Sequence, residues 1–462
     1  MEKKDTVDVW SGKLPFGFWA ETIYDPASGF QLVVHNPADG TVEILPTFDS
    51  GATLYVPCKM NLVEKGVVVL PSGVSEYASD EQLYQDILTF IDRWVFLGDS
   101  PAAQRYLRLV ALYVQLTWIY EQVKTLPYLR VLGPPGSGKT RFLEVVGSLC
   151  YRTTRVSGCA TSAALFRMID LIQGTLAIDE TDFNKSDLWA DVVKVLNEGY
   201  RTGGYVIRNV GERANYKTTA FRVFCPKLLA ARRRFQDEAL ESRCFTHEMP
   251  RGHGGRSLYL TKLFEEEAKT LRAKLLLWRL RRLSQEWTWD ERLLPPALEP
   301  RLGEIGLSLI QLTTSEEIRE VVRQTLLEYQ QELREERGTS LEAEVIQRIV
   351  EVCSEKRTVA KEQGKTGLLN RFPTIGGVTD RINAGLGEHD VKHDHRKIGA
   401  LIRNHLYLKT QRLGGGTVIV FDGKQLAHLV EKYGIQTNEP LGEDGVDGEV
   451  QGEGENDPVP AV

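Results

Sequence analysis

Residues 131–145 read VLGPPGSGKTRFLEV, and this stretch decides how the middle of the chain folds. An apolar run, YLRVLG (128–133), stops at a glycine-rich turn, and a helical pattern, RFLEVVGSLC (141–150), starts almost directly after it. A strand, then Gly133-Pro134-Pro135-Gly136-Ser137-Gly138-Lys139-Thr140, then a helix is the context the Walker A spacing requires. Its glycines let backbone N–H groups turn inward around an anion, and the helix N-terminus adds a favourable dipole. Lys139 is then expected against β and γ phosphates and the Thr140 hydroxyl on Mg²⁺, so the implied cofactors are ATP and Mg²⁺.

Forty residues on, GTLAIDETD (174–182) is an apolar strand ending in Asp179-Glu180. In a parallel sheet, ligands bind beyond the carboxyl ends of the strands, which brings these acids to the phosphate loop. Asp179 is expected in the Mg²⁺ shell and Glu180 as the group that polarises the attacking water. Residues 127–250 alternate strands with helices, the pattern of a parallel α/β sheet.

This pairing, and the passage AFRVFCPKLLAARRRFQDEALESRCFTHEM (220–249) after it, resembles the AAA+ ATPases across roughly residues 127–320. The resemblance implies a polar sensor at the end of a further strand. It also implies an arginine finger that reaches the neighbouring subunit's site and so demands an oligomer. DEALESR, ending in Arg243, is similar to the finger segment. At the sensor position the family usually has Asn, Ser or Thr, whereas this chain has Ala230-Ala231-Arg232, leaving Arg232 to contact the γ phosphate. In LEPRLGEIG (298–306), Arg301 opens a Pro-initiated helix where the family often keeps a second sensor arginine.

Between the two acids and the sensor strand, NEGYRTGGYVIRNVGERANYKTTAFRVF (197–224) reads as strands 205–210 and 216–223, with Gly211, Arg213 and Asn215 in the tip. A hairpin inserted there resembles the pore hairpins of hexameric replicative helicases, notably the minichromosome maintenance and superfamily 3 types. By that resemblance Arg208, Arg213 and Lys217 contact DNA phosphates without reading sequence.

Toward the C-terminus, GVTDRINAGL and HDHRKIGALIRNHL read as two helices and LKTQRLGGGTVIVFD as a hairpin turning at Gly414-Gly415-Gly416. This looks like a winged helix. It offers Lys392, His395, Arg396, Lys397 and Arg403 to a DNA groove and Lys409 and Arg412 to the backbone. Winged helices also dock proteins, and that alternative stays open. The minichromosome maintenance helicases end in such a domain, so the order of parts agrees.

Residues 10–71 are rich in short β runs separated by DPASG and NPADG turns. Trp10, Phe16, Phe18, Trp19 and Phe30 in this region are either core or stacking platforms for single-stranded DNA. Leu83, Ile87, Phe90, Ile91 and Trp94 fall on one helical face, and a second helix is expected over 101–123.

The formal net charge of −6 argues weakly against nucleic acid, because the segment 436–462 alone carries eight acids and no Lys or Arg. Without it the balance is +2, which leaves room for local basic patches, and the segment itself is expected to be disordered. Six cysteines show no C-x-x-C pair and no nearby histidine cluster, so neither a zinc site nor a disulfide framework is indicated. MEKKDTVDVW lacks the apolar core of a signal peptide, and the greasiest run, 107–120, is too short to span a bilayer; a cytoplasmic protein without membrane contact is expected.

The expectation is a multidomain α/β protein. Its parts are a small antiparallel β domain (1–75), a helical linker (76–126), an AAA+-like core on a parallel sheet (127–255), a helical lid (256–337), a winged helix (338–435) and the acidic tail (436–462). The function it suggests is an ATP-dependent DNA helicase or translocase in DNA replication. It would work as a homo-oligomer, a hexameric ring by resemblance to replication proteins of plasmids, prophages and mobile elements, with other replication proteins as further partners. A replication initiator or helicase loader, and an AAA+ remodeller of protein partners, are the alternatives.

Overall fold

The computed structural model describes residues 4–156, 162–179, 187–210, 217–235, 237–363, 372–386 and 392–435. The expectations for Glu180, Arg213 and the 436–462 tail lie outside them. The chain divides into two units, Met1–Tyr329 and Gln330–Val462.

The first unit opens with seven strands: β1 (Asp5–Val9), β2 (Ser11–Lys13), β3 (Trp19–Asp25), β4 (Gly29–His35), β5 (Val42–Leu45), β6 (Phe48–Asp49) and β7 (Thr53–Pro57). β2 to β5 form an antiparallel meander. Its turns follow from their sequences: the Asp25 carboxylate accepts the Ala27 N–H at 2.9 Å, and the Asn36 side chain accepts the Ala38 N–H at 3.1 Å. The other sheet, β1-β7-β6, departs from the antiparallel expectation, because β1 pairs parallel with β7. The meander itself is the long connection that returns the chain in the same direction.

Three helices follow, α1 (Asn61–Glu64), α2 (Asp80–Trp94) and α3 (Pro101–Trp118). α2 starts where the Ser79 side chain accepts the Gln82 N–H, and it buries the five apolar residues named above, together with Tyr84. α3 is capped by Ser100 with Pro101 in its first turn. It ends at Trp118, and a short 3-10 turn at Tyr120–Gln122 takes the place of its expected last turn.

The central part runs β8 (Tyr128–Leu132), α4 (Lys139–Leu149), β9 (Thr154–Val156), α5 (Ser162–Ile172), β10 (Leu176–Ile178), α6 (Asp187–Glu198), β11 (Tyr205–Val210), β12 (Lys217–Arg222), β13 (Lys227–Ala231), α7 (Glu238–Glu241) and β14 (Cys244–Glu248). Five of the strands make one sheet in the order β14-β8-β13-β10-β9, every neighbour parallel. Both faces are covered, as an all-parallel sheet requires. On β13, Leu229 belongs to the cluster with α5 and α6, while Leu228 faces Gly147 of α4. α8 (Lys262–Leu283), α9 (Pro300–Ile310) and α10 (Glu316–Gly338) follow, the last crossing the unit boundary. Among the described residues no helix is long and apolar enough to cross a membrane.

A buried ionic staple ties the N-terminal sheets to this core. Glu21 on β3 is 1% exposed and accepts from Tyr151 at 2.6 Å, from Arg152 at 2.5 Å and from Arg279 of α8 at 3.3 Å. Arg279 also donates to the Trp118 carbonyl, Glu121 and Ser11, and Arg152 lies over the Trp10 ring at 4.1 Å while donating to its carbonyl. Burial raises the Glu21 pKa, but the two guanidinium groups and the Ser11 and Tyr151 bonds outweigh it and hold the carboxyl below the usual range.

The second unit contains α11 (Leu341–Gln363), α12 (Ile375–Ala384), α13 (His395–Asn404), the ribbon β15 (Lys409–Leu413) with β16 (Gly416–Val420), and α14 (Gly423–Lys432). Ile346, Ile349, Val378, Ile382, Ile398 and Ile402 are among the residues that close its own core.

Candidate functional site

At the carboxyl edge of the sheet, β8 runs into the glycine-rich loop. Gly136 and Gly138 take φ of 79° and 90°, a region L side chains avoid, and Gly138 caps α4 in that conformation. A Cβ at Gly133 would collide with the Ser137 hydroxyl. Ser137 is 4% exposed, and its Oγ has no hydrogen-bond partner among the described residues. A glycine-rich turn, an unsatisfied buried hydroxyl and a helix N-terminus together fit a phosphate chain.

Lys139 Nζ donates to the carbonyls of Gly133 at 2.6 Å and Pro134 at 2.8 Å, which holds the ammonium over the loop. Thr140 Oγ1 donates to Asp179 Oδ2 at 2.9 Å. This contact joins residues 39 apart in sequence, across the carboxyl ends of β8 and β10 with β13 between them. A hydroxyl and a carboxylate converging beside a phosphate cradle are oxygen donors of the type Mg²⁺ takes. Ala231, the last residue of β13, accepts the Gly133 N–H at 3.2 Å, so exposed Arg232 follows at the same edge.

Two expected arginines lie elsewhere. Arg243 O accepts the Tyr128 N–H at the start of β8, while Gly133 follows that strand's end, about 16 Å away at the usual rise per residue. Arg243 is 6% exposed, and its guanidinium donates to Asn197 and lies over the Tyr200 ring at 4.2 Å. Arg243 is thus held within its own chain, away from its own phosphate loop. Arg301 donates to Ser242 Oγ at 3.0 Å on the same far edge, so it does not meet its own phosphate loop.

Charged residues inside the sheet escaped the sequence reading. Arg130, fully buried on β8, is paired with Glu241 through both guanidinium nitrogens and bonded to Thr246, which anchors α7. Burial raises the Glu241 pKa, but Arg130, with the Phe235 N–H and Arg234, more than offsets it and lowers the carboxyl. Fully buried Lys227 donates to the carbonyls of Gly199, Val223 and Cys225, fastening both roots of the β11–β12 hairpin to the sheet. A single charge in an apolar strand such as YLRVL is the signal that marks such groups.

The hairpin pairs Tyr205 with Arg222 through to Val210 with Lys217. Strand alternation puts Val206 and Arg208 on the inner face, where the Arg208 guanidinium lies 5.5 Å from the Phe166 ring centroid. Lys217 is exposed near the tip, and Tyr205 and Ile207 are 52% and 63% exposed on the outer face. Thus Lys217 is exposed beside the hairpin tip and Arg208 is drawn toward α5.

In the second unit α13 buries Ile398, Gly399 and Ile402 and exposes His395, Arg396, Lys397 and Arg403. Lys392 is also exposed, and His395 sits 3.6 Å from Asp380. Lys409 and Arg412 are exposed on β15 but, three residues apart on a strand, take opposite faces of the ribbon. The ribbon turns at Gly414-Gly415, with Leu413 opposite Gly416.

Of the N-terminal aromatics, only Phe16 is largely exposed, at 79%. Trp10 and Phe30 pack toward the cluster of Val63, Val68, Leu70 and Ile172, Phe18 meets Phe48, and Trp19 lies under Lys13. The five described cysteines are free thiols, and Cys159 lies outside the described residues. Among the described residues no cluster of His, Cys, Asp or Glu could hold a metal.

No protein-family model matches the chain, and no curated protein does. Solved structures resemble it at low identity. The NrS-1 C-terminal region (305–718) aligns over 87% of this chain and 95% of its own, with 10% identity and a TM-score of 0.38. A full-length MCM homologue from Methanopyrus kandleri aligns over 69% and 74%, with 13% identity and a TM-score of 0.36. The SCCmec type IV Cch structure, described as an active helicase, aligns over 94% and 74%, with 11% identity and a TM-score of 0.36. At these TM-scores the likeness carries no argument about function.

Proposed function

We propose that the chain is an ATP-driven DNA motor of the AAA+ type, a helicase or translocase acting as a homo-oligomer in replication. The observation that carries this reading is the Thr140–Asp179 contact at 2.9 Å beside the glycine cradle, on the ligand-binding edge of a parallel sheet. Bound ATP with Mg²⁺ supplies a phosphoryl group for transfer to water. Around it, the loop N–H groups orient the phosphates, Lys139 neutralises charge at their β and γ end, and Thr140 and Asp179 hold the metal. Glu180, next in sequence to Asp179, is the proposed group that orients the water. Arg232 approaches from β13. We further propose an oligomer in which Arg301, bonded to Ser242 at the sheet edge away from its own loop, meets a neighbouring copy's phosphates. Mixing Arg301→Ala with Lys139→Ala protein should then restore part of the hydrolysis that each lacks alone, because some interfaces join an intact Arg301 to an intact loop, whereas no restoration would assign Arg301 a role within its own chain.

The hairpin links hydrolysis to DNA. Its roots are bonded to Lys227, which begins β13, the strand whose last residue, Ala231, precedes Arg232. The second unit, helix–helix–ribbon–helix, is read as a winged helix with α13 toward DNA. Single-stranded DNA should raise the ATP turnover of the full chain. Lys217→Ala should weaken that stimulation and reduce the slope of log affinity against log salt by about 1, as removal of one phosphate contact does. Turnover indifferent to DNA would count against a motor and favour a switch-like loader.

A further inference from the structure

Tyr407 stands between α13 and β15 with its backbone at φ 54°. That left-handed region suits glycine or asparagine and penalises a bulky side chain. Leu406 and Leu408, each 2% exposed, plug into the core on either side. Their N–H groups donate to Leu401 at 3.1 Å and Ile402 at 3.0 Å, and the Tyr407 carbonyl accepts from Gln425 at 3.4 Å. The backbone is thus pinned, while the ring, on a residue 76% exposed, projects outward. Packing of the ring does not explain its position, and strain kept at an exposed residue points to function.

Its neighbours in the chain are basic. Arg396, Lys397 and Arg403 are exposed on the helix before it, and Lys409 is exposed two residues after it. The acids that cap the flanking helices, Asp394 and Asp422, accept backbone N–H groups of Arg396 and Gln425. Phe16 is equally exposed with φ 63°, but only Lys13 stands near it in sequence, so it lacks this charged setting.

We infer that Tyr407 is a stacking platform for an unpaired base, set beside the basic helix that holds the phosphates. The C-terminal unit would then recognise the junction between single-stranded and duplex DNA rather than duplex alone. The inference rests on the DNA-acting reading above. A paired base hides its faces in the duplex stack, and only an unpaired one offers a face to a projecting ring; stacking of this kind is indifferent to base identity.

The test uses the full chain, a forked oligonucleotide with unpaired arms and a blunt duplex of equal length, at one salt concentration. Wild type should prefer the fork. Tyr407→Gly should bind the fork about ten-fold more weakly, bind the duplex as wild type does, and melt no lower, since glycine takes this φ without strain. Tyr407→Phe should retain the preference, and 2-aminopurine in an arm should change fluorescence with wild type and not with Tyr407→Gly. Equal losses for fork and duplex would overturn the inference in favour of a groove contact. Unchanged binding to both would overturn it in favour of a ring that meets a protein instead. Binding of neither by wild type would overturn it together with the reading it rests on.

Discussion

Lys139→Ala stops ATP turnover, with a fall of at least about 10²–10³-fold, the scale set by loss of one charge-stabilising group, while the fold survives. The ammonium donates to the loop carbonyls of Gly133 and Pro134, at the anion-binding end of the loop. Its removal takes positive charge from the proposed β and γ end of the site. Asp179→Asn tests the other half: it keeps an acceptor for Thr140 but removes the negative charge proposed to hold the metal, so turnover should require more Mg²⁺. Hydrolysis assays across a Mg²⁺ series, with thermal melting beside them, separate these effects. Undiminished turnover in Lys139→Ala would show that the loop is not the site of hydrolysis.

Glu21→Ala lowers stability by about 3–5 kcal/mol, the cost of leaving buried positive charge unpaired. Arg152 and Arg279 are each about 1–2% exposed and both bond to this carboxylate. Arg152 moreover holds φ 47°, a conformation this bonding helps to maintain. The loss should appear as a lower denaturation midpoint, with the N-terminal sheets becoming accessible to protease first. The same group predicts acid sensitivity. Its folded-state pKa lies below the ordinary 4.5, so its contribution is complete above that value and disappears as pH falls through the folded-state pKa. In wild type, stability should therefore drop on acidification below about pH 4.5. Glu21→Ala should flatten that dependence, and an unaltered acid profile would remove Glu21 from the account.

The phosphate loop was legible in sequence because its requirements are local: glycines, a lysine and a threonine at fixed spacing between a strand and a helix. Asp179 was legible for a similar reason, as an acid closing an apolar run. The hairpin strands 205–210 and 217–222 also follow from their own β-rich sequences. What escaped was set by tertiary pairing. Nothing near Glu21 in WAETIYD announces two arginines 131 and 258 residues away. Nothing near Val9 announces a parallel partner at Thr53–Pro57. Arg243 and Arg301 were placed by resemblance to a family, and resemblance does not say which way a side chain turns. Their orientation follows instead from Asn197, Tyr200 and Ser242, neighbours supplied by the fold.

The central claim is that ATP spent at this loop does work on DNA. Separation of a forked duplex by the full chain with Mg²⁺ and ATP tests it most directly, with Lys139→Ala as the matched control. Strand separation that requires ATP and vanishes in Lys139→Ala is the predicted result. ATP hydrolysis by the wild type with no strand separation and no movement along DNA would contradict it, and would make the chain a nucleotide-dependent loader or initiator instead.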